Sequence, residues 1–168
     1  RNDSLREVIL RNEELEQFPD ESYYDLGQYY FSHNDADHYD LTAARESYSL
    51  ALEDRRDVEE GGLSDAQTAM VWYQLARIDF LEGKFGQAIT RLNYLVQEYE
   101  DMIDSAHYIL GLTYAYRARE TADVDDWLNA ESAFNTFLAY RPDSPWASTD
   151  LAWVYFSQGK YEEMIPIL

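Results

Sequence analysis

Apolar residues recur along the chain at the spacing of helices that bury one face. A first run consists of Val71, Leu75, Ile78 and Leu81, and a second of Phe85, Ala88, Leu92 and Leu95. Steps of three and four residues place such side chains on one side of an α-helix. Gly83 lies between the runs and can adopt the left-handed backbone conformation that ends a helix. The pattern therefore predicts two consecutive helices joined by a short turn, a helical hairpin.

The same hairpin pattern occurs again near the end of the sequence. The segments Leu75–Ile89 and Leu151–Ile165 align without a gap. Both begin with Leu-Ala, carry a phenylalanine five residues later and then contain Gly-Lys-aromatic, at Gly83 and at Gly159. Repetition of this kind predicts an all-α fold built from successive helical pairs.

Local signals mark where several of these helices begin and end. Ser64 and Gln67 have the spacing of a capping box, in which each side chain bonds to the other residue's backbone. Ser144 followed by Pro145 is typical of an N-cap with proline in the first turn. Pro166 falls inside the last predicted helix and should kink it, because proline lacks the N–H that continues a helix.

In these segments the chain resembles the tetratricopeptide repeat family, whose unit is a pair of antiparallel helices. The matching positions are Trp72, Leu75, Ala76, Gly83, Phe85, Ala88, Leu92 and Leu95 in one unit, Leu110, Gly111, Tyr114, Trp127, Ala130, Phe134, Phe137 and Pro142 in the next, and Leu26, Gly27, Tyr30, Leu41, Ala44, Tyr48 and Ala51 in an earlier one. The resemblance implies an α-solenoid, a right-handed superhelical array of about four helix pairs with inserted turns.

The domain organisation follows from the register of the repeats. The predicted segments are 1–19, an N-terminal amphipathic helix acting as a degenerate half-repeat or cap; 20–56, repeat 1; 57–67, linker and helix start; 68–102, repeat 2; 103–144, repeat 3; and 145–168, a truncated repeat 4. Extra residues around 32–40 and 119–125 are expected to form inserted turns. Asp79 stands where the family has an aromatic residue. A weaker resemblance, carried by Tyr140–Ala147, is to envelope-associated bacterial members of the family such as outer-membrane assembly lipoproteins.

The charge of the chain is strongly unbalanced. Asp and Glu total 33 against 13 Lys and Arg, which gives a net charge of −20. A field of this sign repels phosphate backbones, so nucleic acid is not expected as a partner. Two interpretations stay open: adaptation of the whole protein to a salt-rich environment, where screening relaxes self-repulsion, and an acidic surface for a basic partner.

The compartment is not predicted by the sequence, and cytoplasm and bacterial envelope or periplasm both stay open. No segment approaches the roughly 20 apolar residues that span a bilayer, so no membrane span is predicted. The sequence begins with Arg1 rather than Met, so the absence of a visible signal peptide says little. There is no cysteine, which excludes disulfides, thiolate catalysis and cysteine metal sites.

The family resemblance implies a concave groove lined by the first helix of each repeat. Carried over position by position, the groove residues are Tyr24, Gln28, Phe31, Tyr73, Arg77, Phe80, Tyr108, Leu112, Tyr116, Trp153 and Phe156. Tyr, Trp and Arg dominate binding hot spots because they supply a large contact area and a polar group. The alternative for each ring is packing of repeat on repeat. As a set they favour an extended or helical apolar segment of a partner protein.

One subclass of the family is excluded by the residues at its key positions. Members of that subclass grip the carboxylate tails of heat-shock chaperones with lysine and asparagine. The corresponding positions here are Tyr24, Gln28, Gln74, Ser105 and Ile109. These positions therefore form no cationic clamp that could bind a free carboxylate.

The acidic segment His33–Asp40 contains two His and three Asp that could ligate a divalent metal ion. It lacks the glycine and the distal glutamate of a calcium loop, and it lies in an expected inserted turn. Acidic turns are usually solvated caps. We therefore predict no metal and no cofactor.

No catalytic arrangement is visible in the sequence. The three histidines, His33, His38 and His107, are dispersed, and no nucleophile elbow or phosphate loop accompanies them. The carboxylate pairs Glu13-Glu14 and Asp125-Asp126 are interpreted as helix-start or solvated groups. The predicted function is a non-catalytic protein–protein interaction scaffold, not an enzyme.

Two alternative functions stay open. The first is self-assembly into a homo-oligomer through the last repeat, because Ile165, Ile167 and Leu168 lack a following helix to cover them. The second is a component similar to an envelope assembly lipoprotein.

Adaptation to salt makes a prediction that needs no partner. If it explains the acidity, the melting temperature should rise as KCl is increased from low to molar concentration, because screening relieves repulsion more in the compact state than in the expanded one. Circular dichroism melts at several salt concentrations measure this. A flat or falling dependence would count against salt adaptation.

Overall fold

The structure is a computed structural model that describes residues 22–32, 39–53, 57–60, 62–99 and 103–167. Within these ranges every regular element is helical, and no strand occurs. The chain divides into two compact units, Arg1–Leu75 and Ala76–Leu168. The predicted N-terminal helix over residues 1–19 lies outside the described residues.

Helices follow one another through both units. They are α1 (Ser22–Phe31), α2 (Leu41–Glu53), α3 (Asp65–Leu81), α4 (Phe85–Glu98), α5 (Ser105–Thr121), α6 (Val124–Tyr140), α7 (Pro145–Ser157) and α8 (Tyr161–Met164), with 3₁₀ turns at Val58–Glu60 and Ile165–Ile167. In the first unit α1 packs on α2; in the second, α4 packs on α5, α5 on α6, α6 on α7 and α7 on α8. The all-α prediction is confirmed, with neighbouring helices packed in chain order.

The capping signals act as the sequence predicts. Ser64 accepts from the backbone N–H of Gln67 at 3.3 Å, while the Gln67 side chain accepts from the Ser64 backbone N–H at 3.0 Å. Ser144 precedes Pro145 and accepts from the Ala147 backbone N–H. These bonds satisfy N–H groups that have no partner inside the helix.

The two Gly-Lys-aromatic turns adopt the backbone conformation that their glycines allow. Gly83 has a φ of 72° and Gly159 a φ of 73°, both in the left-handed region. α3 ends before the first turn and α7 before the second. Each glycine thus ends one helix and lets the next begin two residues later.

Burial repeats with the same register in the second helix of three of the pairs. Three positions in steps of four and three residues are buried each time: Ala44, Tyr48 and Ala51 in α2, Ala88, Leu92 and Leu95 in α4, and Ala130, Phe134 and Phe137 in α6. These steps place the three side chains on one helix face. The apolar residues that recur at helical spacing in the sequence are therefore the residues that these helices bury.

In two of the helical pairs, a glycine of the first helix lets an aromatic ring of the second helix approach closely. A Cβ placed on Gly27 of α1 would lie 2.5 Å from the ring of Tyr48 in α2, and one on Gly111 of α5 would lie 2.9 Å from the ring of Phe134 in α6. Both rings are fully buried. In each case the aromatic side chain of the second helix lies directly on the backbone of the first.

The turn expected around residues 119–125 is almost entirely helical. α5 continues to Thr121 and α6 begins at Val124, so the turn consists of two residues. Ala122 takes a left-handed φ of 58°, and Asp123 caps α6 by accepting from the Asp125 backbone N–H at 3.0 Å. The extra residues lengthen the two helices, and the prediction of an inserted turn here is wrong. In the other expected turn, residues 33–38 lie outside the part of the chain that the structure describes.

Pro166 marks a change of helix type, as its chemistry predicts. α8 ends at Met164, and Pro166 lies in the 3₁₀ turn that follows. Proline has no N–H to donate and its ring clashes with the preceding turn of an α-helix.

The close contact at Gly111 can be tested by adding one methyl group. Gly111→Ala is expected to lower the free energy of unfolding by about 1–3 kcal/mol, because the added methyl group would lie 2.9 Å from the fully buried Phe134 ring and one of them must shift. Gly86→Ala is the matched control, since nothing lies within 4 Å of its added Cβ. It should leave stability unchanged or slightly raised. Urea unfolding measures both, and equal stabilities of the two variants would contradict the packing described.

Candidate binding surface

A row of aromatic rings connects three helices of the second unit. The ring centroids of Phe80 in α3 and Tyr116 in α5 lie 5.3 Å apart, edge to face. The ring centroids of Tyr116 and Trp153 in α7 lie 6.1 Å apart. Trp153 also contacts a ring outside this row, Trp127 in α6, at 5.6 Å. We call Phe80, Tyr116 and Trp153 the aromatic row. It brings one ring from each of α3, α5 and α7 into contact, at distances typical of favourable aromatic pairs.

The contacts between α5 and α7 show that these helices run in the same direction. Tyr108, near the start of α5, lies 5.9 Å from Trp146 and donates a hydrogen bond of 2.7 Å to Asp150. Tyr116, about two turns later, contacts Trp153. Contact positions therefore increase together along both helices, as expected for equivalent helices of successive repeats.

The predicted groove residues of the second unit are partly occupied by internal packing. Phe156 is 58% exposed, whereas Arg77, Phe80, Tyr108, Leu112, Tyr116 and Trp153 are half-buried. Tyr108, Leu112 and Trp153 pack against a core cluster that includes Phe134, Leu151 and Val154. Part of each of these three side chains is therefore used in internal packing, as the alternative of repeat-on-repeat packing expects, and only the rest is accessible to a partner.

The predicted groove residues of the first unit differ in accessibility. Tyr24, Gln28 and Tyr73 are half-buried, and Phe31 is buried. Phe31 thus contributes to the core of this unit and offers a partner little surface. In the described residues, only Phe156 of the predicted set is exposed.

Two ion pairs join helices within the pairs of the second unit. Arg91 of α4 donates to Asp79 of α3 at 2.8 Å, and the Asp79 side chain is buried. This pair occupies the place where the family pattern has an aromatic residue.

The second pair is bidentate. Arg117 of α5 donates to both carboxylate oxygens of Asp126 in α6, at 2.7 and 2.6 Å, and Asp126 is only 2% exposed. The hydrogen bond to Asp126 holds the pKa of Arg117 above its ordinary value, against the opposing effect of burial. Asp126 lies in the first turn of α6, as the helix-start interpretation expects, but it is buried and not solvated; Asp125, next to it, is exposed.

A cleft that the sequence did not predict lies where α5 and α7 begin and α6 ends. Its volume is about 540 Å³, and its walls include Phe137, Tyr140 and Trp146. Arg141 donates to Asp104 across one side at 2.6 Å, and this bond is the main reason that the pKa of Asp104 lies below its ordinary value. The signal available in the sequence was a tryptophan directly after the Ser-Pro start of a helix.

Apolar side chains are also exposed around the last helix. Phe156 contacts Tyr161 edge to face at 5.7 Å, and Tyr161 and Ile165 are both exposed. Ile167 packs partly against the core, and Leu168 lies outside the described residues. Self-association through this region stays a prediction.

The described residues contain no group of three or more His, Cys, Asp or Glu side chains that could hold a metal ion. Most of the acidic segment His33–Asp40 lies outside them. His107 stacks on Tyr140, with ring centroids 6.0 Å apart. None of the described helices has the length and apolar character needed to cross a membrane.

The sequence was compared with known protein families and with curated proteins. No protein-family model matches the sequence, and no curated protein matches it.

The bidentate pair makes a prediction about stability. Asp126→Asn should lower the free energy of unfolding by about 1–3 kcal/mol, less than for a fully buried pair because the Arg117 side chain is partly solvated. Asp125→Asn removes the same charge one residue away and should cost less than about 0.5 kcal/mol. Urea unfolding of both variants measures the difference. Similar losses in both would mean that the pair does not hold α5 and α6 together.

Proposed function

We propose that the chain is a non-catalytic scaffold of the tetratricopeptide type, which binds a segment of another protein along the first helices of its helical pairs. The observation that carries the proposal is the aromatic row. Phe80, Tyr116 and Trp153 come from three successive first helices, and each ring contacts the next. A stack of equivalent helices is the arrangement from which repeat proteins build extended binding surfaces.

The repeated packing supports the same architecture. The second helices bury equivalent positions in α2, α4 and α6, and glycine meets an aromatic ring in both the α1–α2 and the α5–α6 pair. The pairs that contain α2, α4 and α6 are therefore packed in a similar way. A surface held by such pairs needs little ordering when a partner binds, which lowers the entropic cost of association.

The chemistry of the surface favours an apolar or aromatic ligand segment. Half-buried rings are held in place by their neighbours and still present part of their area, as hot-spot residues do. Phe156 extends the same helix face beyond Trp153 and is exposed. The positions that would clamp a terminal carboxylate are uncharged, and Gln74 among them is buried.

The two most buried acidic groups of the second unit support a non-catalytic role. Asp79 and Asp126 are each engaged by an arginine of the neighbouring helix. Such pairs use the carboxylates to connect helices, so they are not available as acid and base for a reaction.

A peptide-display selection tests the proposal without a known partner. Random peptides selected on the immobilised wild-type chain should bind Phe156→Ser at least about fivefold more weakly, because an exposed aromatic anchor has been removed. Leu128→Ser is the control: Leu128 is 47% exposed and lies on α6, a second helix. Its affinity for the same peptides should be unchanged, and circular dichroism should show both variants folded.

Two results would contradict the scaffold proposal. The first is a selection that enriches no binding peptide. The second is a set of peptides whose affinity falls equally in the Phe156 and Leu128 variants, since binding would then not depend on the first helices.

A further inference from the structure

The cleft at the start of α5 and α7 has the composition of a site for a cationic side chain. We call it the α7 cleft and define it by six of its lining residues: Asp104, Phe137, Tyr140, Arg141, Asp143 and Trp146. None of these is among the predicted groove residues. The cleft adjoins that surface, however, because Tyr108 contacts Trp146.

The exposed indole of Trp146 extends from a capped helix start and contacts one neighbouring ring. Ser144 is buried and caps α7, and Pro145 restricts the backbone of the first turn. The ring packs edge to face on Tyr108, yet 61% of the residue is exposed. Tryptophan is usually well buried, and the contact with Tyr108 and the fixed backbone reduce the freedom that this exposed ring would lose on binding.

Tyr140 forms a second supported ring of the cleft. It stacks on His107 with an angle of 17° between the ring planes and remains 46% exposed. Two aromatic rings, each supported by a neighbour, thus contribute accessible area to one cleft. Aromatic faces attract cations through their negative quadrupole, and tryptophan does so most strongly.

The charges of the cleft favour the same ligand. Its lining has two carboxylates, Asp104 and Asp143, against one guanidinium, Arg141. Arg141 is engaged by Asp104 at 2.6 Å. Asp143 forms no ion pair with any described residue, so the ionised side chains of the lining sum to one negative charge. The net charge of −20 on the whole chain adds a long-range attraction for cations.

We propose that the α7 cleft binds an arginine or lysine side chain carried by the partner segment. The apolar stem of that side chain packs against Trp146 and Tyr140, and its charge is balanced by Asp143. The proposal rests on the proposed function in that the ligand is a protein segment, and it adds the requirement that this segment be basic. An anionic ligand is disfavoured because it would face Asp143 and would have to displace Asp104 from Arg141.

Titration by NMR tests the proposal on the full chain labelled with ¹⁵N. The probe is a capped nine-residue Gly-Ser peptide with two arginines, and its matched control has glutamates in their place. The arginine peptide should shift the indole N–H signal of Trp146 and the backbone signals around Tyr140 in a saturable manner. The glutamate peptide should leave them unchanged.

Three variants separate a specific site from diffuse attraction. Trp146→Ala should weaken the arginine peptide about fivefold or more through loss of the cation–π contact, and Asp143→Asn should weaken it about two- to fivefold. Asp125→Asn makes the same charge change roughly 22 Å away along α6 from Tyr140, and it should leave the affinity unchanged. Circular dichroism verifies folding, and Asp143→Asn keeps the test valid if Trp146→Ala is unstable.

Each contrary outcome overturns the proposal. Equal weakening by Asp143→Asn and Asp125→Asn would show diffuse electrostatics, and binding of the glutamate peptide at the cleft would show an anion site. No shift at Trp146, together with display peptides that depend on Phe156, would refute the cleft and leave the scaffold standing. Shifts at Trp146 without any Phe156-dependent peptide would support the cleft and refute the groove.

Discussion

The close approach of the two helices within a pair is the constraint on which the rest of the structure depends. At Gly111 the backbone of α5 meets the ring of Phe134 with no room for a methyl group. That contact brings the buried face of α6 onto α5, and α6 in turn packs on α7. With α6 held in this way, α5 and α7 can lie alongside each other in the same direction. The aromatic row and the α7 cleft both follow from that arrangement.

Polar groups reinforce the apolar contacts at the ends of the helices. Arg117 and Asp126 join α5 to α6 next to their two-residue turn, and Arg91 joins α4 to Asp79 of α3. A buried carboxylate is costly unless it is paired and hydrogen-bonded, so these arginines are required once the acids are buried. Much of the acidic composition remains on the surface, but its two most buried members in the second unit serve the fold.

The two candidate binding features make complementary demands on a partner. The aromatic row and Phe156 offer apolar area on α3, α5 and α7. The α7 cleft offers aromatic faces and a free carboxylate where α5 and α7 begin. A basic segment with apolar residues would satisfy both, and the negative field of the chain would accelerate its encounter with the surface.

The sequence by itself determined the features that depend on neighbours within a few residues: the helical hairpin of α3 and α4, the caps at Ser64 and Ser144, the left-handed glycines and the buried register of α4. Each follows from helical spacing or backbone conformation, which act locally. Only the tertiary structure decided the fate of Asp126, because its burial depends on Arg117 in another helix. The same holds for Trp146 and Tyr108, which are far apart in the chain and meet only because α5 and α7 lie side by side. A cleft formed by three chain segments has no local signal, since its shape exists only after the helices have packed.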